Sequence, residues 1–433
     1  MPAPGPRRRP ELDRANREET MNTSVIADVL AASDAVASAL ADPETAWSAA
    51  PTGGRAWPQS LAGGAAGIAL LHIERAHSGH GDWDTARAWL SVAASGELTA
   101  AANAGLFLGA PAVAFALHAA ARTSNRYRDA LARLDEAVTA LTRARLAAAH
   151  ARIDQAQRPM MREFDLIRGL AGLGVYHLRR HPDHPITRDV LAYLVRLTEP
   201  LPGRGELPPW WTDVSLNGEP SPDHPHGHGN LGMAHGIGAV LALLSLAMLR
   251  DLPVDGAGEA AGRICAWTDQ WRQDDGAGLW WPGFITLDQV RTHRVEPSRR
   301  PRPSWCYGIG GTARAQQLAG IALKDAARQT AAENAMLATL RDPALAERLP
   351  EIGLCHGMAG LLQSAWRMAA DAATPHIAGE LPRLAARLTA RVQEDPAPDP
   401  ELLDGAAGAA LALHTVGTGA APASHWDTFL LLA

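Results

Sequence analysis

The chain has 433 residues, of which 47% are hydrophobic and 20% charged, with a formal net charge of −6. That balance is ordinary for a soluble globular chain and excludes global disorder, and without a basic field nucleic acid is not an expected partner. Three cysteines, an odd number, exclude a disulfide scaffold and fit a reducing cytoplasm.

Residues 1–20, MPAPGPRRRPELDRANREET, carry Arg7, Arg8 and Arg9 with no apolar run behind them. A standard signal peptide needs such a run, so this segment reads as a disordered tail. Met21 is an alternative start and opens a helical stretch, MNTSVIADVLAASDAVASAL. No run of 18 uncharged apolar residues follows anywhere, so no transmembrane span is expected. Long Ala/Leu runs favour helix over strand.

From residue 61 a short glycine-containing signature recurs seven times, each copy opening an apolar helical run. The copies are LAGGAAGIALLH (61–72), LFLGAPAVAFALH (106–118), LIRGLAGLGVYHL (166–178), MAHGIGAVLALL (233–244), WCYGIGGTARAQQ (305–317), LCHGMAGLLQSAW (354–366) and LLDGAAGAALALH (402–414). Their shared glycines are Gly64, Gly109, Gly169, Gly236, Gly308, Gly357 and Gly405, spaced by 45 to 72 residues. The shorter spacings suit a helical hairpin: a small-residue helix, then a more amphipathic partner. One hairpin cannot bury both faces of its first helix, but seven stacked copies can close into a ring. At roughly 150 residues per domain the length alone allows about three domains; a closed ring makes residues 21–433 a single one. If every hairpin runs inner helix first, all seven inner helices are parallel. Side chains just before the glycines then converge on one mouth.

Between repeats two and three, RDALARLDEAVTALTRARLAAAHARIDQ (128–155) reads as a long charged outer helix. The excess length elsewhere falls in two Pro-, Gly- and Trp-rich loops, 196–230 and 273–304. They precede the repeats carrying His235 and Cys306, so they can form rims over the mouth. Their pairs Trp210–Trp211 and Trp280–Trp281 either pin the loops to the ring or offer a binding surface.

The residues before the aligned glycines carry the chemistry. Repeats one, two and seven offer little there: Gly63, Leu108 and Asp404. Repeat five offers Cys306-Tyr307, repeat six Cys355-His356 and repeat four His235, while repeat three has Asp165 four positions before its glycine. Two of the three cysteines thus share one slot in adjacent repeats. Two thiolates and an imidazole suit Zn²⁺, and a three-ligand set leaves the fourth position open, as catalytic zinc sites do. The same cysteines also suit small buried hydrophobes or a disulfide. Cys265 matches no repeat slot and reads as core. His224, His226 and His228 in DHPHGHG allow either a second metal or a mobile surface loop.

The motifs AHGIG, WCYGIGG and LCHGMAG, in this order and spacing, resemble the lanthipeptide cyclase (lanthionine synthetase C-like) family over about residues 55–415. The resemblance implies an all-α fold, an α,α-toroid of seven inner and seven outer helices, agreeing with the seven copies. It implies one zinc ion per chain held by Cys306, Cys355 and His356. It implies His235 as the acid/base near the metal, Asp165 as its partner, and Arg302 and Tyr307 as further site residues. Asp165 also suits a helix N-cap, Arg302 a loop charge and Tyr307 plain packing. Some members carry a small additional lobe of strands; no alternating-strand segment stands out here.

The implied activity is addition of peptide cysteine thiols to dehydroalanine or dehydrobutyrine in a ribosomally made precursor, a Michael-type addition that closes lanthionine or methyllanthionine rings. The implied partners are the dehydrated precursor peptide, a dehydratase and an export transporter, in a cytoplasmic setting with membrane association through a biosynthetic complex. Two other readings share the zinc site: a non-catalytic zinc-stabilised peptide scaffold, and a related enzyme that adds glutathione to dehydrated proteins. A glycosidase on a helical toroid needs two carboxylates. Asp165 and Asp404 are the only repeat-start candidates, and they leave the cysteine pair unexplained.

Overall fold

Each of the seven glycines precedes the first residue of a helix, and most of them do so because no side chain fits. A Cβ on Gly308 would sit 2.0 Å from the Arg302 carbonyl oxygen, and one on Gly360, three residues beyond Gly357, would sit 1.9 Å from that of Leu354. The G-x-x-G spacing is therefore the mark of a helix start folded tightly onto its own approach loop. A computed structural model describes residues 23–48, 57–121, 125–203, 205, 207–252, 254–394 and 399–433; the tail at 1–20 and Met21 lie outside the described residues.

Among the described residues, fourteen helices build the ring. They are α1 (Thr23–Ala39), α2 (Ala65–His77), α3 (Trp83–Ala93), α4 (Ala110–Ala121), α5 (Arg128–Asp154), α6 (Leu170–Arg180), α7 (Pro185–Leu197), α8 (Ile237–Leu249), α9 (Ala257–Asp269), α10 (Ile309–Ala322), α11 (Ala326–Arg341), α12 (Met358–Asp371), α13 (His376–Glu394) and α14 (Ala406–Thr418). The even-numbered helices form the inner wall, each packing on the next, and α14 returns to α2 to close the circle. The odd-numbered helices back them. The fold is an α,α-toroid of seven inner and seven outer helices, with α5 as the expected long outer helix.

Composition explains which helix goes where. In α8, IGAVLALLSLAML, every residue from Ile237 to Ala247 is buried, which fits a helix covered on all sides. In α13 the buried set is Ile377, Leu381, Leu384, Ala385, Leu388, Thr389 and Val392, a stripe at three- and four-residue spacing with charged residues opposite. Truncating a stripe residue such as Leu388 would cost about 2–5 kcal/mol.

One hairpin differs from expectation. Six run inner helix first, but the outer partner of α14 is α1, from the other end of the chain, and Ser33 Oγ donates to the Ala410 carbonyl at 2.9 Å. The ring is thus fastened by joining its two ends. A second unexpected feature lies inside it. Residues 423–432 reach five inner helices: Glu74 of α2 accepts from the Ser424 amide, Phe115 of α4 packs on Phe429, Arg179 of α6 donates to the Ser424 carbonyl, Arg314 of α10 donates to the Leu432 carbonyl, and Arg367 of α12 pairs with Asp427. Trp305, beside Cys306, donates to the Leu430 carbonyl at 3.0 Å.

The two long loops are more ordered than their sequences imply. They contain β1 (His228–Asn230), β2 (Gln273–Asp274), β3 (Leu279–Trp280) and β4 (Phe284–Thr286), paired antiparallel as β1–β4 and β2–β3. Strands of two or three residues are too short to show alternation in a sequence. Trp210, Trp211, Trp280 and Trp281 are all buried, so these pairs pin the loops to the ring.

Candidate metal centre and active site

The mouth is laced by main-chain hydrogen bonds between neighbouring repeats. The Cys355 amide donates to the Leu403 carbonyl (2.8 Å), the Cys306 amide to the Cys355 carbonyl (3.1 Å), the Ala234 amide to the Cys306 carbonyl (3.2 Å), and the Leu166 amide to the Ala234 carbonyl (3.2 Å). This lacing gives the shared slot its physical meaning. Residues distant in sequence are adjacent rungs of one circular ladder, and the two cysteines stand on neighbouring rungs.

The ligand atoms of Cys306, Cys355 and His356 lie within 4.8 Å of one another. Two sulfurs and an imidazole nitrogen at that spacing are close enough for one ion to touch all three, and the donor set is the one a borderline-soft cation prefers. Among the described residues this is the one cluster of three or more such groups. The cysteines are free. The hydrogen bond from Cys355, helped by His356 and Ser304, outweighs burial and holds the Cys306 thiol low, at about 5. The same bond, with burial, pushes the Cys355 thiol far up, and contact with Cys306 raises His356. Together these shifts favour the thiolate at Cys306 and the thiol at Cys355. Ser304, wholly buried, brings its Oγ to 3.4 Å from the Cys306 sulfur.

His235 lies on the next rung. Its Nδ1 meets the Asp165 carboxylate at 2.6 Å. Asp165 is fully buried, and its other oxygen accepts from the Arg168 amide at 2.7 Å, so it caps the approach to α6 and holds the histidine at once. The Tyr307 ring lies 6.5 Å from that of His235, nearly parallel, and 4.9 Å from Phe284. Burial raises the Tyr307 phenol well above its ordinary value, against an opposing pull from the Asn230 side chain. Arg302 stands at the rim, half exposed, paired with Glu351 at 2.7 Å.

Cys306, Cys355, His356, His235, Tyr307 and Arg302 line one cavity of about 550 Å³, most of whose remaining wall comes from the two loops. The site includes groups the sequence reading passed over. Asp404, from the repeat whose slot offers little in the sequence, places a carboxylate oxygen 3.3 Å from His356 Nδ1. A signal existed, since Asp404 occupies the same slot before its glycine as His235 and His356. His224 and Phe284 also line the cavity. The His-rich segment is not a surface loop throughout: His228 is 1% exposed and its ring lies 4.5 Å from that of His224, while His226 is exposed. The bonds between Thr212 and His228 and the packing of Phe284 against both rings draw the segment inward. Cys265 is core, its thiol pushed up to about 11 by burial.

A sequence profile of the lanthionine synthetase C-like protein family matches residues 55–431. The chain belongs to that family. Among solved structures, this family member resembles one titled nisin cyclase with a TM-score of 0.73 and 18% sequence identity, over 87% of this chain and 92% of that one. A sequence search among curated proteins finds no match. No helix among the described residues of this lanthionine synthetase C-like protein is long and apolar enough to cross a membrane.

Proposed function

We propose that this protein is a zinc-dependent lanthipeptide cyclase that joins peptide cysteines to dehydroalanine or dehydrobutyrine. The observation that carries the reading is the Cys306–Cys355–His356 cluster facing the same cavity as His235, itself held by buried Asp165. A zinc ion held by Cys306, Cys355 and His356 would act as a Lewis acid favouring the thiolate form of a peptide cysteine.

The rest of the chemistry belongs to the chain. The addition forms one sulfur–carbon bond at the β-carbon of the dehydro residue and one hydrogen–carbon bond at its α-carbon. The thiol hydrogen is therefore redistributed and the mass is unchanged. His235 delivers the proton to the α-carbon, and Asp165 on Nδ1 fixes the ring so that Nε2 faces the cavity. Negative charge builds on the carbonyl oxygen as the sulfur adds. Arg302 and Tyr307, both lining the cavity, offset it, with Arg302 exchanging its exposed partner Glu351 for the substrate. The dehydrated precursor peptide is the substrate, and the dehydratase and exporter are its upstream and downstream partners.

Metal analysis tests the centre: one zinc per chain is expected, lost in Cys306→Ala. Incubating the zinc-loaded protein with a dehydrated, cysteine-containing peptide should remove free thiols at constant mass. An active zinc-free protein would overturn the metal's role, and persistent thiols on a bound peptide would make the protein a scaffold. His235→Ala should keep zinc and lose ring closure; an unchanged rate would mean another group is the acid.

A further inference from the structure

We propose that β4 is a docking rail on which an extended stretch of substrate peptide pairs with the protein main chain. The inference rests on the cyclase reading and deepens it by naming what holds the peptide over the thiol cluster.

The register carries the argument. β1 and β4 pair as His228–Thr286, Gly229–Ile285 and Asn230–Phe284, and the Leu231 amide donates to the Gly283 carbonyl at 2.9 Å. In an antiparallel pair, residues that exchange hydrogen bonds alternate with residues that do not. Gly283 and Ile285 therefore turn their main-chain groups towards β1, while Pro282, Phe284 and Thr286 turn theirs to the opposite edge. The other side of β1 confirms the phase, because His228 exchanges both its bonds with Thr212, away from β4. Among the described residues no strand pairs with the outer edge of β4.

Of the groups on that edge, the Thr286 amide is already taken by Gln289 Oε1 at 2.8 Å. The Phe284 amide and the carbonyls of Pro282 and Phe284 remain. Pro282, Gly283, Phe284 and Thr286 all line the cavity that holds Cys306, Cys355, His356 and His235. An edge of this kind recruits a further strand, and the bonds it makes are blind to side chains. That suits a substrate in which several different cysteines must be presented in turn. The short edge, with its proline and its capped end, keeps the grip weak enough for the peptide to slide between closures.

The test scans a synthetic dehydrated peptide with single N-methyl groups on its main-chain nitrogens, which delete one donor each. One position near the reacting residues should raise KM about fivefold, the loss of one main-chain bond, with kcat within twofold. Phe284→Pro, which removes the protein's donor, should raise KM for the unmethylated peptide by a similar factor while zinc content and melting temperature stay near wild type. Phe284→Ala, which keeps the amide, should retain the methyl sensitivity. In parallel, hydrogen exchange at the Phe284 amide should slow when peptide is added. A flat methyl scan with normal ring closure, or an unprotected Phe284 amide on peptide-bound protein, overturns the rail and leaves the cyclase reading standing. Intact thiols with the unmethylated peptide overturn the cyclase reading, and the exchange measurement then judges the rail by itself.

Discussion

At the mouth of the ring, His235 meets Asp165 at 2.6 Å with the carboxylate wholly buried, whereas His356 meets Asp404 at 3.3 Å with both side chains about two-fifths exposed. The partner comes from the preceding repeat in the first pair and from the following repeat in the second. Under the proposed function, burial separates their uses. A histidine that must pass a proton at one atom needs its ring and tautomer fixed, and a buried carboxylate with a second hydrogen bond of its own does that in a low-dielectric setting. Under the proposed function His356 ligates the metal and is held chiefly by it, so a carboxylate at its Nδ1 can remain in water. The same slot, in repeats four and six, thus holds two histidines in different settings.

Exchanging each carboxylate for an amide should split the pairs by readout. Asp165→Asn leaves a side chain that can still accept from the Arg168 amide, so the fold and the zinc should survive. Without the charge behind His235, ring closure should fall by about 10²–10⁴ in kcat, the usual range for a lost acid/base function. A loss of zinc in that variant, or a kcat within threefold of wild type, would erase the division of labour. Asp404→Asn should do the reverse. Zinc affinity, measured by competition with a chelator, should drop about 10–100-fold, while kcat at saturating zinc stays near wild type.

The metal-free protein sharpens the comparison through pH. Because the Cys355 hydrogen bond depresses the Cys306 thiol to about 5, the thiolate persists above that pH and is lost as pH falls through it. Iodoacetamide labelling of Cys306 in zinc-stripped protein should therefore be level from about pH 6 to 8 and fall roughly tenfold per unit below pH 5. Cys265, pushed up to about 11 by burial, should stay unlabelled across that range. Peptide mapping after alkylation reads both sites at once, and a Cys306 labelling curve rising only near pH 9 would show that the cluster does not share a proton.

Sequence alone revealed the ring because its constraint is local. A helix start folded onto its approach loop excludes a Cβ, and that exclusion prints a glycine at Gly308 and another at Gly311. The cysteine pair was legible for the same reason, as chemistry set in a repeated frame. What stayed hidden depends on contacts between distant segments. Nothing near Ser33 announces that α1 will back α14 by way of Ala410. Asp404 was visible in its slot, but its partnership with His356 follows from the lacing of repeat six to repeat seven through Cys355 and Leu403. His228 sits in a polar, His-rich stretch, and only contacts from Thr212 and Phe284, distant in sequence, draw it inward.

The smallest expected effect comes from salt. The His356–Asp404 contact is open to solvent, so mobile ions compete with it and salt weakens it, as it does other exposed pairs. The Asp165–His235 contact has no solvent on the carboxylate side and should be indifferent. Raising salt from about 0.05 to 0.5 M should therefore weaken zinc binding about two- to threefold in the wild type, the scale of an exposed ion pair, and by less in Asp404→Asn, while kcat of the zinc-saturated enzyme holds steady. If the two proteins lose zinc affinity equally with salt, the screened interaction lies elsewhere on the rim, with the half-exposed Arg302–Glu351 pair as the next group to substitute.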